Sequence, residues 1–142
     1  MTVLSVEGWN KIINIFTGLY LSARGSSLET RANESSDEQL WRFDSEGRIV
    51  NRGSNLVIDG SKQNPTLTDA SPLTGSKIWK LRTDIQNPQD MNLTVPKLVT
   101  SGGLSCLQTA DRFLENGSPV IMYPCTEVHP DNAGWNIVPG KA

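Results

Sequence analysis

LSCLQTADRFLENGSPVIMYPCTEVHPDNAGW, residues 104–135, carries the parts on which the fold turns. Cys106-Leu107 opens it, a polar loop follows, and the short apolar run Val120-Ile121-Met122-Tyr123 leads to Cys125, Asp131-Asn132 and Trp135. After Trp135 the sequence alternates polar and apolar, which is the mark of a half-buried strand. The same setting recurs twice upstream, in Glu38-Gln39-Leu40-Trp41-Arg42-Phe43 and Ser76-Lys77-Ile78-Trp79-Lys80-Leu81. Each Trp follows a polar loop and precedes alternation.

A second feature recurs with it. Ile12 to Leu21 reads as strand, small turn and strand, and so do Arg48 to Ile58 and Leu98 to Leu107. Thr17-Gly18, Gly53-Ser54 and Gly102-Gly103 supply the backbone freedom that tight hairpins need. The chain therefore divides into three units of about four short strands each, at residues 8–44, 45–82 and 83–142, within a single domain spanning 1–142. Helix signals are poor. Ile12, Ile13, Ile15 and Phe16 favour strand, and only Ser36 to Phe43 offers a helical turn, ahead of Trp41.

The 142 residues suffice for one domain with a real core, and the 12 Gly and 8 Pro fit a turn-rich, all-β chain. With 13 basic and 15 acidic side chains the formal net charge is −2, and no block of like charge stands out. Neither nucleic acid nor membrane insertion is expected of such a surface. The start, MTVLSVEGWNKII, lacks a basic region followed by a long apolar one, so no signal peptide is expected. The expected location is cytoplasmic, with release by a non-conventional route as the alternative. Cys106 and Cys125 suit either a disulfide or two reduced thiols.

Units of this size cannot bury their apolar faces alone. Three of them packed about a pseudo-threefold axis close a barrel and cap its end, which is the β-trefoil. The sequence resembles the ricin B-type lectin family, in particular small single-domain fungal lectins. Gln39-Leu40-Trp41 is a full Gln-x-Trp element, whereas Lys77-Ile78-Trp79 and Ala133-Gly134-Trp135 keep only the Trp. Cys106-Leu107, Tyr123-Pro124-Cys125 and Asp131-Asn132 follow the family's third-repeat pattern. That resemblance implies that Cys106 and Cys125 lie close enough to bond.

A shallow sugar site needs an aromatic face for the C–H side of the ring, and a carboxylate or amide for adjacent hydroxyls. The resemblance implies that the third repeat supplies them. Tyr123 takes the stacking position, Asn132 the amide before the Trp, and Gln108 the place usually held by Asp; His129 and Asp131 share the loop. Tyr123 has a second reading as a strand aromatic that covers the barrel, and His129 one as a solvated loop residue. The other repeats read as mainly structural. In the first, Ser22 takes the Asp position and no aromatic lies near Arg31 to Asn33, leaving Gln39 and Asp37 as its binding groups. In the second, Val57 takes the Asp position and Asp69 lies near the aromatic position, while Asp59, two residues beyond Val57, serves only if the register slips.

Enzymatic function is not expected. The single histidine would have to serve any Ser-His-Asp triad, and no Gly-x-Ser-x-Gly or phosphate-cradling loop occurs. No metal or other cofactor is expected. The resemblance implies a lectin for glycans ending in galactose, GalNAc or a related N-acetylhexosamine, of the defensive kind found in fungi. Avidity would favour a homodimer, and a targeting subunit of a larger toxin is a further form. The alternative function is a β-trefoil protease inhibitor acting through an exposed loop at 83–96.

Overall fold

The computed structural model describes residues 8–83, 96–101, 105–110, 116–125 and 133–141. Strands β1 (Trp9–Asn14), β2 (Tyr20–Arg24), β3 (Ser27–Arg31) and β4 (Trp41–Phe43) make the first unit. The second has β5 (Ile49–Asn51), β6 (Val57–Asp59), β7 (Thr66–Thr68) and β8 (Trp79–Arg82). The third has β9 (Lys97–Thr100), β10 (Ser105–Thr109), β11 (Ser118–Pro124) and β12 (Trp135–Lys141). A single 3-10 turn precedes Trp41 and another precedes Trp79, at Asp37–Gln39 and Gly75–Lys77. The helical turn expected ahead of Trp41 is therefore present, and it has a counterpart ahead of Trp79.

Each unit hands over to the next through an antiparallel pair in one common register. Trp41 lies opposite Asn51 in β4–β5, Trp79 opposite Thr100 in β8–β9, and Trp135 opposite Asn14 in β12–β1. The last pair closes the ring between the third unit and the first. The hairpins β2–β3, β6–β7 and β10–β11 lie outside that ring, and β3 touches both β7 and β11.

The hydrogen bonds repeat as closely as the strands do. The indole N–H of Trp41 donates to the Leu21 carbonyl at 3.0 Å, that of Trp79 to Ile58 at 3.0 Å, and that of Trp135 to Leu107 at 2.8 Å. A buried indole must place its N–H on an acceptor, and here the acceptor is each time the second strand of the same unit. All three Trp and their acceptors Leu21, Ile58 and Leu107 are buried in one core, together with Ile12, Ile49 and Leu98 from the first strand of each unit. The expected equivalence of Trp41, Trp79 and Trp135 holds.

The turns after β1 and β5 use a shared device. Asn14 Oδ1 accepts from the amide and hydroxyl of Thr17, and its Nδ2 donates to the carbonyl of Gly134, just before Trp135. Asn51 Oδ1 accepts from the amide and hydroxyl of Ser54, and its Nδ2 donates to Leu40, just before Trp41. Each buried Asn thus shapes its own turn and ties it to the preceding unit. In the first turn the left-handed residue is Gly18 (φ 73°), as its glycine predicts; in the second it is Asn55 (φ 62°) and not Gly53. Asn tolerates that conformation through its short polar side chain. Gly53 has no positive φ, and an added Cβ there would make ordinary contacts, 3.4 Å from Asn51 Oδ1 and the Asp37 backbone.

Another glycine marks where the second and third units meet. A Cβ on Gly60 would come within 2.9 Å of Trp79 Cη2, 3.0 Å of Met122 Cε and 3.0 Å of Thr100 Cγ2. The Trp ring is buried and cannot yield, so only Gly fits.

Candidate functional site

The tryptophan bonds fix which residues correspond between units. Following Leu21, Ile58 and Leu107 by one residue gives Ser22, Asp59 and Gln108, and these form one equivalent set on the outer hairpins. Asp59 therefore holds the position that the sequence reading gave to Val57. Val57 lies one residue before the acceptor carbonyl and is 1% exposed, in the core. The residue across each hairpin corresponds as well. Tyr20 opposes Arg31, Val57 opposes Thr68, and Cys106 opposes Tyr123. The residues equivalent to Tyr123 of the third unit are thus Arg31 in the first and Thr68 in the second.

In the third unit, residues directly opposite or two apart share a face of the hairpin. Cys106, Gln108, Ile121, Tyr123 and Cys125 accordingly stand on one face of β10–β11. Cys106 and Cys125 are bonded, with Cα atoms 5.0 Å apart, as the family resemblance implies. The bridge packs with Val99 and Ala133 in a small cluster of its own. Tyr123 is 39% exposed, so its ring projects from the surface instead of covering the core. Gln108 is 7% exposed, and its Oε1 is buried without a hydrogen-bond partner among the described residues. The other expected members of this site, His129, Asp131 and Asn132, lie outside the described residues, as does the greater part, 84–95, of the segment considered as an inhibitor loop.

The second unit presents a carboxylate. Asp59 Oδ1 accepts from the Ser61 amide at 3.0 Å. Burial by itself would raise this carboxyl. The hydrogen bonds from Ser76 and Ser61, with the charge of Lys77, outweigh it and hold the group below the ordinary aspartate value. Lys77 replaces the Gln of the Gln-x-Trp element, and its Nζ donates to the carbonyls of Asp69 and Pro72, each at 3.0 Å.

In the first unit the motif residues are turned inward. Gln39 is 1% exposed. Its Nε2 donates to Ser22 Oγ at 3.0 Å and to the Ala32 carbonyl at 2.8 Å, and its Oε1 accepts from the Glu34 amide at 2.8 Å. Ser22 in turn donates to the Tyr20 carbonyl at 2.9 Å. Gln39 is a brace between loop and hairpin, not the ligand group that its motif suggests, and Asp37 pairs with Arg52 at 3.5 Å. Arg31 is gripped by Glu29 at 2.7 Å and Glu34 at 2.9 Å, and these two hydrogen bonds raise the guanidinium above its usual value. A cleft of about 330 Å³ opens here, lined by residues that include Arg24, Glu34, Ser36 and Glu38. Sequence reasoning missed it, because Arg24 and Glu34 belong to no motif and Ser36 and Glu38 read only as the turn ahead of Trp41.

No model of a known protein family matches the chain. No curated protein matches it in sequence. Solved structures do match in shape. A designed threefold-symmetric protein, ThreeFoil, is similar with a TM-score of 0.75 at 21% identity, over 93% of this chain and 99% of its own. The fold is a β-trefoil. A Macrolepiota procera ricin B-like lectin, solved in complex with lactose, is similar at 15% identity and a TM-score of 0.76, over 97% of this trefoil and 99% of that lectin. The C-half of an earthworm R-type lectin, solved with GalNAc, reaches 0.72 at 16% identity, over 92% and 98% of the two chains.

Proposed function

We propose that this trefoil is a carbohydrate-binding protein without catalytic activity, with its principal site in the third repeat. The supporting observation is Tyr123, an exposed aromatic on the same hairpin face as Gln108 and beside the Cys106–Cys125 bridge. An aromatic plane offers the apolar side of a pyranose a surface to stack on. Among the described residues Gln108 Oε1 has no donor, and this reading adds His129, Asp131 and Asn132 as further polar groups. Terminal galactose, GalNAc or a related N-acetylhexosamine is the ligand class this reading takes, and the two lectins of like shape, solved with lactose and GalNAc, support it. A cytoplasmic fungal protein of defensive role, acting as a homodimer, is the biological form that goes with it.

Shallow sites bury little of the ligand, so the expected affinity is millimolar to micromolar, about −4 to −8 kcal/mol. The experiment is a glycan array followed by titration of the best ligand. Tyr123→Ala is expected to weaken monovalent binding by at least tenfold with the fold intact. A second location has its own support, because Asp59 puts a carboxylate at the position equivalent to Gln108. If Tyr123→Ala binds normally and Asp59→Asn does not, the site belongs to the second repeat.

A further inference from the structure

We propose that the cleft of the first repeat is a second and chemically different site, one that takes a sugar bearing a single carboxylate, of the sialic or uronic acid type. The inference rests on the lectin reading above, and it concerns a different repeat. Three observations lead to it.

The floor of the cleft no longer suits a neutral sugar. The position that holds Asp59 in the second repeat is Ser22 here; it is 1% exposed, and its hydroxyl is already bonded to the Tyr20 carbonyl and to Gln39. No carboxylate remains at that point to bind a pair of ring hydroxyls.

The walls carry one uncommitted cation. Arg31 is held by Glu29 and Glu34, whereas Arg24 has no ion pair among the described residues. Arg24 ends β2, two residues from Ser22 and so on the same face of the hairpin, next to the open turn at Gly25. A guanidinium presents paired N–H donors in the geometry that a carboxylate accepts.

The remaining groups want hydroxyl partners. Glu34 and Glu38 line the cleft as acceptors, and so does Ser36, whose buried Oγ has no hydrogen-bond partner among the described residues. Those two carboxylates disfavour sulfated or phosphorylated polyanions, and the two arginines disfavour a cation. A ligand with one carboxylate and several hydroxyls meets all of these demands, and the volume of about 330 Å³ lies in the range of small-molecule sites.

The test uses free monosaccharides, so that the third repeat does not contribute through a linked galactose. N-acetylneuraminic acid and glucuronic acid are titrated into the full chain with amide shifts as the readout, and galactose is titrated in parallel. The acidic sugars are expected to move the Arg24 and Gly25 amides. Arg24→Gln is expected to weaken them about tenfold or more, the range for losing a hydrogen bond to a charged group, while leaving galactose unaffected; Tyr123→Ala should do the reverse. Galactose binding without any response of Arg24 and Gly25 to the acidic sugars overturns the proposal and leaves the lectin reading standing. Acidic sugars that bind equally well to Arg24→Gln overturn it too. Failure of every sugar to bind overturns both.

Discussion

The first and third repeats share a backbone plan and differ in the side chains at equivalent positions of the hairpin and of the segment before the Trp. Both have a Trp bonded to the second strand, at 3.0 Å from Trp41 to Leu21 and 2.8 Å from Trp135 to Leu107. Around that shared frame the first repeat places Ser22, Arg31 and Gln39 where the third places Gln108, Tyr123 and Ala133. The first is knitted together by polar contacts and leaves a cleft; the third is held by a disulfide and leaves an exposed ring. The residues that make the fold are thus separable from those that give each repeat its surface chemistry.

Three experiments can break or sharpen that separation. The largest effect belongs to the shared frame. Trp41→Ala and Trp135→Ala should each cost about 3–5 kcal/mol, and denaturant unfolding should find the two losses similar. A loss confined to one repeat would show that the frame is not shared. Next is the device that only the third repeat has. Replacing Cys106 and Cys125 together by Ala should cost about 3 kcal/mol, as for a loop of this order, measured by thermal unfolding. The amide spectrum of the first repeat should be unchanged. The smallest effect concerns the polar brace. Gln39→Ala strands Ser22, Ala32 and Glu34, and should cost about 2 kcal/mol; Ala133→Gly, at the equivalent place, should lack this polar component, which a parallel pair of unfolding curves would reveal. Equal losses for both would mean that Gln39 does no bracing.

The shared frame was legible in the sequence because it is written in large apolar side chains and turn residues. Trp41, Trp79 and Trp135 each follow a polar loop, and burial leaves them few alternatives. The surface chemistry was less legible, for reasons of register and of partnership. Val57-Ile58-Asp59 contains no Cys-Leu pair to set its phase, so an error of two residues put Val57 where Asp59 stands; the Trp79–Ile58 bond removes the ambiguity. Gln39 looks the same in sequence whether it points outward or braces a loop, and three hydrogen bonds decide for the brace. Arg24 in a hairpin turn is ordinary in sequence. Its interest arises only because Arg31, the other arginine lining the cleft, is already taken by two glutamates.

The close approach at Gly60 limits what descent or design can do with this repetition. The corresponding positions, one after Ser22 and Gln108, are Ala23 and Thr109. Copying Ser22-Ala23-Arg24 into the second repeat would bring a methyl group against the ring of Trp79, which cannot retreat. The hairpin of the first repeat therefore does not pass into the second as a cassette. A duplicated unit inherits the chemistry of its parent only where its neighbours are duplicated with it; elsewhere each site has to be reached by its own route of single substitutions.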